Sequence, residues 1–313
     1  MIIQSNIGMK GFFRIQIRRP DGRVRFDSGF FPNTILNDGR NVMATRSDWT
    51  TYCQVGTGTT FPPDINDRRN ETALEAHHAG SNTLSGSILR GQAGVAPYFG
   101  WMRKTFRFGA GTVAANLSEV GVGWGASGST LISRAQILDP TSGLPTTVTP
   151  LIDELLDVTY ELRYYAPTVD VVGPQVTLNG ELFDVTTRAA SVTGQYWSDG
   201  IGSAIGVQTP AALYIAYTGN IGAITSTPSG TSGANTTGSL TNASYSNNSY
   251  EIGLNCVVPS IEWNVGGIRS ILIRTTAGAY QSEFSRVSDA AAIPKTSSFT
   301  MIMRWKLGWV EYV

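Results

Sequence analysis

The chain reads as an all-β protein, mainly β-sandwich or jelly-roll-like, with a few short helices and two tandem β modules. Three observations predict this. Charged residues make up only 15% of the chain, while there are 35 glycines and 10% aromatics. Such a composition suits many short strands joined by turns. Short segments alternate apolar and polar residues, the period of a half-buried strand. A set of landmarks also recurs: Asp38-Gly39 and Thr57-Gly58 are answered, at one and the same spacing, by Asp199-Gly200 and Thr218-Gly219. Further on, Val120-Gly121 faces Val265-Gly266, and Ser129-Thr130-Leu131-Ile132 faces Ser270-Ile271-Leu272-Ile273, at shrinking spacings. The recurrence reads as a duplicated module; the competing reading is that Asp-Gly and Thr-Gly are common turn pairs.

In chain order, Phe13 to Arg18 and Arg23 to Asp27 both alternate, and Pro20-Asp21-Gly22 between them predicts a hairpin turn. Asn37 or Asp38 then caps a predicted short helix from Gly39 to about Ser47. Tyr52 to Val55 returns to strand. Pro62-Pro63-Asp64 predicts an extended exposed loop. Asp67-Arg68-Arg69-Asn70-Glu71 is the densest charge cluster, and Asn70 is placed to cap a helix over Glu71 to Ala79, stopped by Gly80. Strands resume at Thr105–Phe108, Val120–Trp124, Leu131–Ala135 and Leu156–Tyr164.

Ala166-Pro167-Thr168 interrupts the pattern, so the boundary falls there, giving modules 1–168 and 169–313. In the second module Asn179-Gly180 is a strong hairpin signal between Val176–Leu178 and Glu181–Val185. Strands are expected over Leu213–Tyr217, Tyr250–Val258, Ile268–Thr275 and Phe299–Trp309. Residues 218–249, rich in Gly, Ser, Thr and Asn, read as a mobile surface loop or one ordered only by a neighbouring chain.

The 23 basic residues balance 23 acidic ones, which argues against a nucleic-acid binder. The low charge and the aromatics argue against disorder. The first residues lack the basic region and apolar run of a signal peptide, and no segment approaches the ~18 apolar residues of a membrane span. The expectation is a soluble protein made in a cytoplasm.

The residues that carry chemistry are sparse. His77 and His78 are the only histidines; adjacent on a helix, they diverge too far to share a metal easily. Gly56-Thr57-Gly58-Thr59-Thr60 lacks the lysine and following helix of a phosphate-binding loop and reads as a turn. Asp153, Glu154 and Asp157 are the carboxylates to weigh for glycoside hydrolysis, against charges that simply lead into a strand. Cys53 and Cys256 read as small buried residues, with one disulfide as the alternative. Tyr196 and Trp197 are candidate interface aromatics, with sugar stacking and core packing as the other readings. No catalytic, metal or cofactor-binding residue is assigned, and the chain is expected not to be an enzyme.

The first half resembles a module of tailed-bacteriophage virion proteins. The resemblance rests on the hairpin, then Phe31-Pro32-Asn33-Thr34-Ile35-Leu36-Asn37-Asp38-Gly39-Arg40-Asn41, then Val55-Gly56-Thr57-Gly58-Thr59-Thr60 with its following prolines and Thr72-Ala73-Leu74. Glu119 to Gly123 and the Asp157 to Tyr164 strand add to it. The resemblance covers about the first 75 residues, and the second half keeps scattered landmarks. It implies a structural subunit of a virion, in the tail, baseplate or neck, whose partners are copies of itself and other virion proteins. It implies no catalytic residue. The low charge fits independently, because an assembly subunit buries surface against its neighbours. Residues 218–249 and 60–98 are the candidate contact segments. Two rivals stand beside it: a carbohydrate-binding tail-fibre or spike protein that recognises host surface glycans, and a capsid or collar decoration protein.

Overall fold

The computed structural model describes residues 2–58, 61–70, 73–78, 88–206, 214–233, 240–260, 266–298 and 300–312. Strands take up 48% of it and helix 4%, which makes the fold all-β.

The first half holds β1 (Ile2–Arg18), β2 (Val24–Asp27), β3 (Phe31–Ile35), helix α1 (Asn37–Met43), β4 (Tyr52–Gly56) and β5 (Ala73–His78). It continues with β6 (Ile88–Gln92), β7 (Phe99–Phe108), β8 (Glu119–Gly123), β9 (Leu131–Gln136) and β10 (Leu155–Tyr165). The second half holds β11 (Val171–Val172), β12 (Val176–Leu178), β13 (Glu181–Ala190), a 3-10 turn (Gln195–Trp197) and β14 (Tyr214–Tyr217). Then come β15 (Ser232–Gly233), β16 (Leu240–Asn242), β17 (Glu251–Val258), β18 (Ser270–Thr275), β19 (Gly278–Arg286) and β20 (Met301–Glu311).

These strands form a 13-stranded and a 7-stranded sheet. The sheets are antiparallel and curl into a half-barrel, except that β1 and β20 run parallel. The pairing order occurs twice. In the first half β3-β9-β8-β4-β5 pair in that order, with α1 between β3 and β4. In the second, β13-β19-β18-β14-β15 do so, with the 3-10 turn between β13 and β14. Likewise β6-β7-β10-β1 is matched by β16-β17-β20-β1.

Strand β1 serves both sets. Its Gly8–Arg18 stretch lies antiparallel to β10, and its Ile2–Met9 stretch lies parallel to β20. The second half's own counterpart, β12, is three residues long and pairs only β13. One sheet and one apolar core include residues on both sides of the expected boundary at 168. Alternation explains the core. Ile3, Ile7, Met9, Phe13, Ile15 and Ile17 of β1 point inward and are buried. Across from them Leu156, Val158, Tyr160, Leu162 and Tyr164 of β10 do the same.

Both predicted hairpins form. Gly22 takes φ of +83°, and Asn179 (+49°) with Gly180 (+81°) both take the positive φ that a two-residue hairpin turn requires. The repeated Asp-Gly landmarks have a steric basis in their glycines. A Cβ on Gly39 would stand 2.4 Å from the Ile132 carbonyl oxygen, and one on Gly200 2.1 Å from that of Thr276. The later match is corrected. Ser129–Ile132 runs into β9 and Ser270–Ile273 lies in β18, and these two strands hold different places in the recurring pairing order, β9 second and β18 third. Val265 lies outside the described residues.

The helix caps are corrected as well. Helix α1 begins earlier than expected, and its N-cap is Leu36, which makes no side-chain cap. Leu36 is fully buried and its N–H donates to Ile132 O, so an apolar anchor occupies the cap position. Asp38 sits inside the first turn, near the positive end of the helix dipole, and pairs with Arg68 at 2.7 Å. Asp199 caps nothing. It is exposed and follows the 3-10 turn, closing it by donating its N–H to Gln195 O at 2.9 Å.

Of the helix expected over Glu71 to Ala79, the described residues Ala73–His78 form strand β5 instead, antiparallel to β4; Glu71, Thr72 and Ala79 lie outside the described residues. Asn70 caps no helix there; its side chain donates to Gln54 O. The described part of 218–249 is docked on its own chain: Gln281 Nε2 donates to Gly222 O and Ala223 O, and β15 and β16 pair β14 and β17. No helix among the described residues is long and apolar enough to cross a membrane.

Candidate assembly surface

The outward face of β7, β10 and β1 is built from the positions that alternate with the core. Reading outward residues along each strand gives Phe99, Trp101, Arg103, Thr105 and Arg107 on β7. On β10 it gives Leu155, Asp157, Thr159, Glu161, Arg163 and Tyr165, and on the part of β1 that pairs β10 it gives Gly8, Lys10, Phe12, Arg14, Gln16 and Arg18. Register sets the carboxylates among the arginines: Asp157 lies opposite Arg107 and Gln16, and Glu161 opposite Arg103 and Phe12.

The ion pairs follow from that register. Asp157 accepts from Arg107 at 2.6 and 2.7 Å and from Arg18 at 2.8 Å. Glu161 accepts from Arg163 at 2.5 Å and from Arg103. Asp27 of β2 accepts from Arg14 and, at 2.8 Å, from Gln16. The Arg14 guanidinium holds the Asp27 carboxyl well below the usual carboxylate range. Asp157 and Glu161 are 2% and 1% exposed, while the side chains of their arginines are 25–37% exposed. The carboxylates are thus roofed by guanidiniums lying flat on the sheet. Five arginines share three carboxylates.

The same guanidiniums rest on aromatic rings. Arg163 lies 4.3 Å over Phe12 and 4.7 Å over Phe99; Arg103 lies 4.6 Å over Trp101 and 4.9 Å over Phe30. Each such contact is worth about 0.5–1 kcal/mol at exposed sites. The row continues through Tyr165, 5.1 Å from Phe99, to Tyr312, stacked on Tyr165 at 3.7 Å. Aromatic and arginine side chains are the types enriched at protein–protein contacts.

A second feature is an open cleft of about 840 Å³ lined by Phe61, Asp67, Arg68, Arg69, Asn70 and Arg134, among others. Its floor is a buried charge network. Arg134, 1% exposed, donates to Asp67 at 2.6 Å and to Glu119 at 2.9 and 3.1 Å. Glu119 also accepts the Gly58 N–H at 3.0 Å, and Ser118 Oγ donates to Gly58 O. The network pins the Gly/Thr turn and the following loop onto β8 and β9. Thr59 and Thr60 lie outside the described residues.

The remaining sequence candidates are dispersed. Trp197 is not an interface aromatic: it is 1% exposed, its Nε1 donates to Ala190 O at 3.0 Å, and it packs on Tyr280. Tyr196 is half-buried beneath the Arg274 guanidinium, 4.0 Å away. Glu154 accepts from Arg25 at 2.5 Å, which lowers its pKa, the opposite of what a general acid needs. His77 and His78 lie on β5, not a helix. No described group of three or more His, Cys, Asp or Glu residues is arranged to hold a metal. Cys53 and Cys256 are buried and unpaired. The outward arginine–aromatic ladder was missed, although its signal was present: most outward positions of β7, β10 and the Phe12–Arg18 stretch of β1 are arginines, aromatics, carboxylates or amide and hydroxyl partners. Compared with known proteins, the chain matches no family model, no curated protein and no solved structure.

Proposed function

We propose that the chain is a structural subunit of a bacteriophage virion, in the tail, baseplate or neck, and that it works by assembling with copies of itself and with other virion proteins. The observation that carries the assembly reading is the arginine–aromatic face of β7, β10 and β1. It is broad, and its charged groups are already locked in place, so little side-chain freedom is lost on contact. The placement in a virion rests on the sequence resemblance of the first half.

The charge of the face bears on how copies meet. Five guanidiniums against three carboxylates leave it positive. Two such faces meeting about a two-fold axis would repel. A heterologous contact, in which this face covers a more acidic surface of the next subunit, avoids that and generates rings or filaments. The recurring pairing order supports descent of the two halves from one duplicated module.

The test is immunogold labelling of particles from the phage or prophage that carries the gene. Label at the tail, baseplate or neck is expected. Unlabelled particles, with normal particles still forming after deletion of the gene, would contradict the reading.

A further inference from the structure

Where β1 passes from β20 to β10, a cavity of about 360 Å³ opens beside Asn6, Ile7 and Gly8. That is near the lower end of the roughly 300–1,000 Å³ of small-molecule sites. Three tyrosines line it. Tyr165 is the last residue of β10, Tyr312 follows the last residue of β20, and Tyr98 precedes β7. Tyr165 and Tyr312 occupy equivalent places in the two sets of strands and meet in one stack, with rings 7° from parallel. Tyr98 and Tyr312 are half-buried.

Besides apolar residues such as Pro97, Pro167 and Val310, the lining includes Asn6, Thr168 and Glu311. All three are exposed, and none makes a side-chain hydrogen bond or ion pair among the described residues. The site therefore offers aromatic surface together with a carboxylate, an amide and a hydroxyl whose hydrogen-bonding capacity is unspent. A purely apolar ligand would strip water from these groups without replacing it, which is costly. An anionic ligand would face the Glu311 carboxylate. A ligand with one apolar C–H face and a rim of hydroxyls satisfies both halves of the lining.

We propose that this cavity binds a neutral saccharide of one or two rings. The ring's C–H face lies against tyrosine, and its hydroxyls meet Glu311, Asn6 and Thr168. The inference goes beyond the assembly reading and does not depend on it, since it would hold for a monomer.

The experiment is saturation-transfer NMR on the full chain with methyl glycosides of glucose, galactose, N-acetylglucosamine and rhamnose, and with their common disaccharides. Transfer to at least one is expected, strongest at ring C–H protons. Tyr312→Ala should weaken binding about tenfold, and Asn6→Ala and Glu311→Gln severalfold. Asn6 and Glu311 are exposed and unpartnered, so their variants remain informative if Tyr312→Ala fails to fold. Tyr196→Ala, on a distant turn, should leave binding unchanged. No transfer from any of these sugars, or transfer undiminished in the Asn6 and Glu311 variants, overturns the proposal. Native mass, measured in parallel, reports separately on assembly.

Discussion

Replacing Glu119 by alanine tests whether the buried charge network holds the loop to the sheet. Glu119 is fully buried and Arg134 is 1% exposed. Removing the carboxylate leaves the guanidinium with Asp67 and backbone carbonyl contacts, and strands the Gly58 N–H. Breaking a buried pair from one side costs about 3–5 kcal/mol, because the surviving charge stays desolvated. For a chain of this size that is a fall in Tm of roughly 5–10 °C. Glu119→Leu combined with Arg134→Met removes both charges and should cost less than Glu119→Ala alone. Thermal and urea melts of wild type, the single variant and the double variant measure this. A single variant within about 1 kcal/mol of wild type would refute the reasoning, as would a double variant clearly worse than the single.

Three further outcomes are expected. Burial lowers the Lys104 pKa from 10.5 to about 8, while its Nζ donates to Thr50 O at 2.6 Å. The cost of burying the charge, about 3 kcal/mol, is carried in full below pH 8. It is relieved as pH rises toward 10.5, where the unfolded chain still binds the proton that the folded chain has released. Stability should therefore rise over that window in wild type and not in Lys104→Met, and an equal rise in the variant in urea melts would contradict this. Burial raises the thiol pKa of both cysteines, that of Cys256 to about 12, so neither should react with an aromatic disulfide reagent until the chain unfolds; rapid labelling of the native protein would count against their burial. Deleting residues 2–7 removes buried Ile3 and Ile7 and bares the edge of β20, costing about 3–6 kcal/mol from those two side chains and promoting aggregation; an unchanged melt would show that β20 does not need β1.

Much of the strand framework was legible because β1 from Phe13 onward, β7, β10 and β17 alternate cleanly. The first half of β1 was not, because Ser5 takes an inward position and hides the period. The stretch Ala73–His78 favours helix by propensity, yet β4 offers it a ladder of backbone hydrogen bonds, and that partner lies outside any local window. Asp38 and Asp199 carry the residue type of a cap but not its place, since buried Leu36 fixes where α1 starts. The Asp-Gly landmarks were informative through their glycines, which stand against backbone in both halves. The arginine–aromatic ladder needs three strands in register. Its members include Phe12, Arg14, Trp101, Arg103, Glu161 and Arg163, and only the observed pairing of β7, β10 and β1 brings them onto one face.

Light scattering across a concentration series, at low and high salt, tests the proposed heterologous assembly through that face. A discrete oligomer or a filament that loosens as salt rises is expected, and Arg103→Glu with Arg163→Glu should convert it to monomer. A wild-type monomer at every concentration, or an assembly indifferent both to salt and to those substitutions, would contradict it.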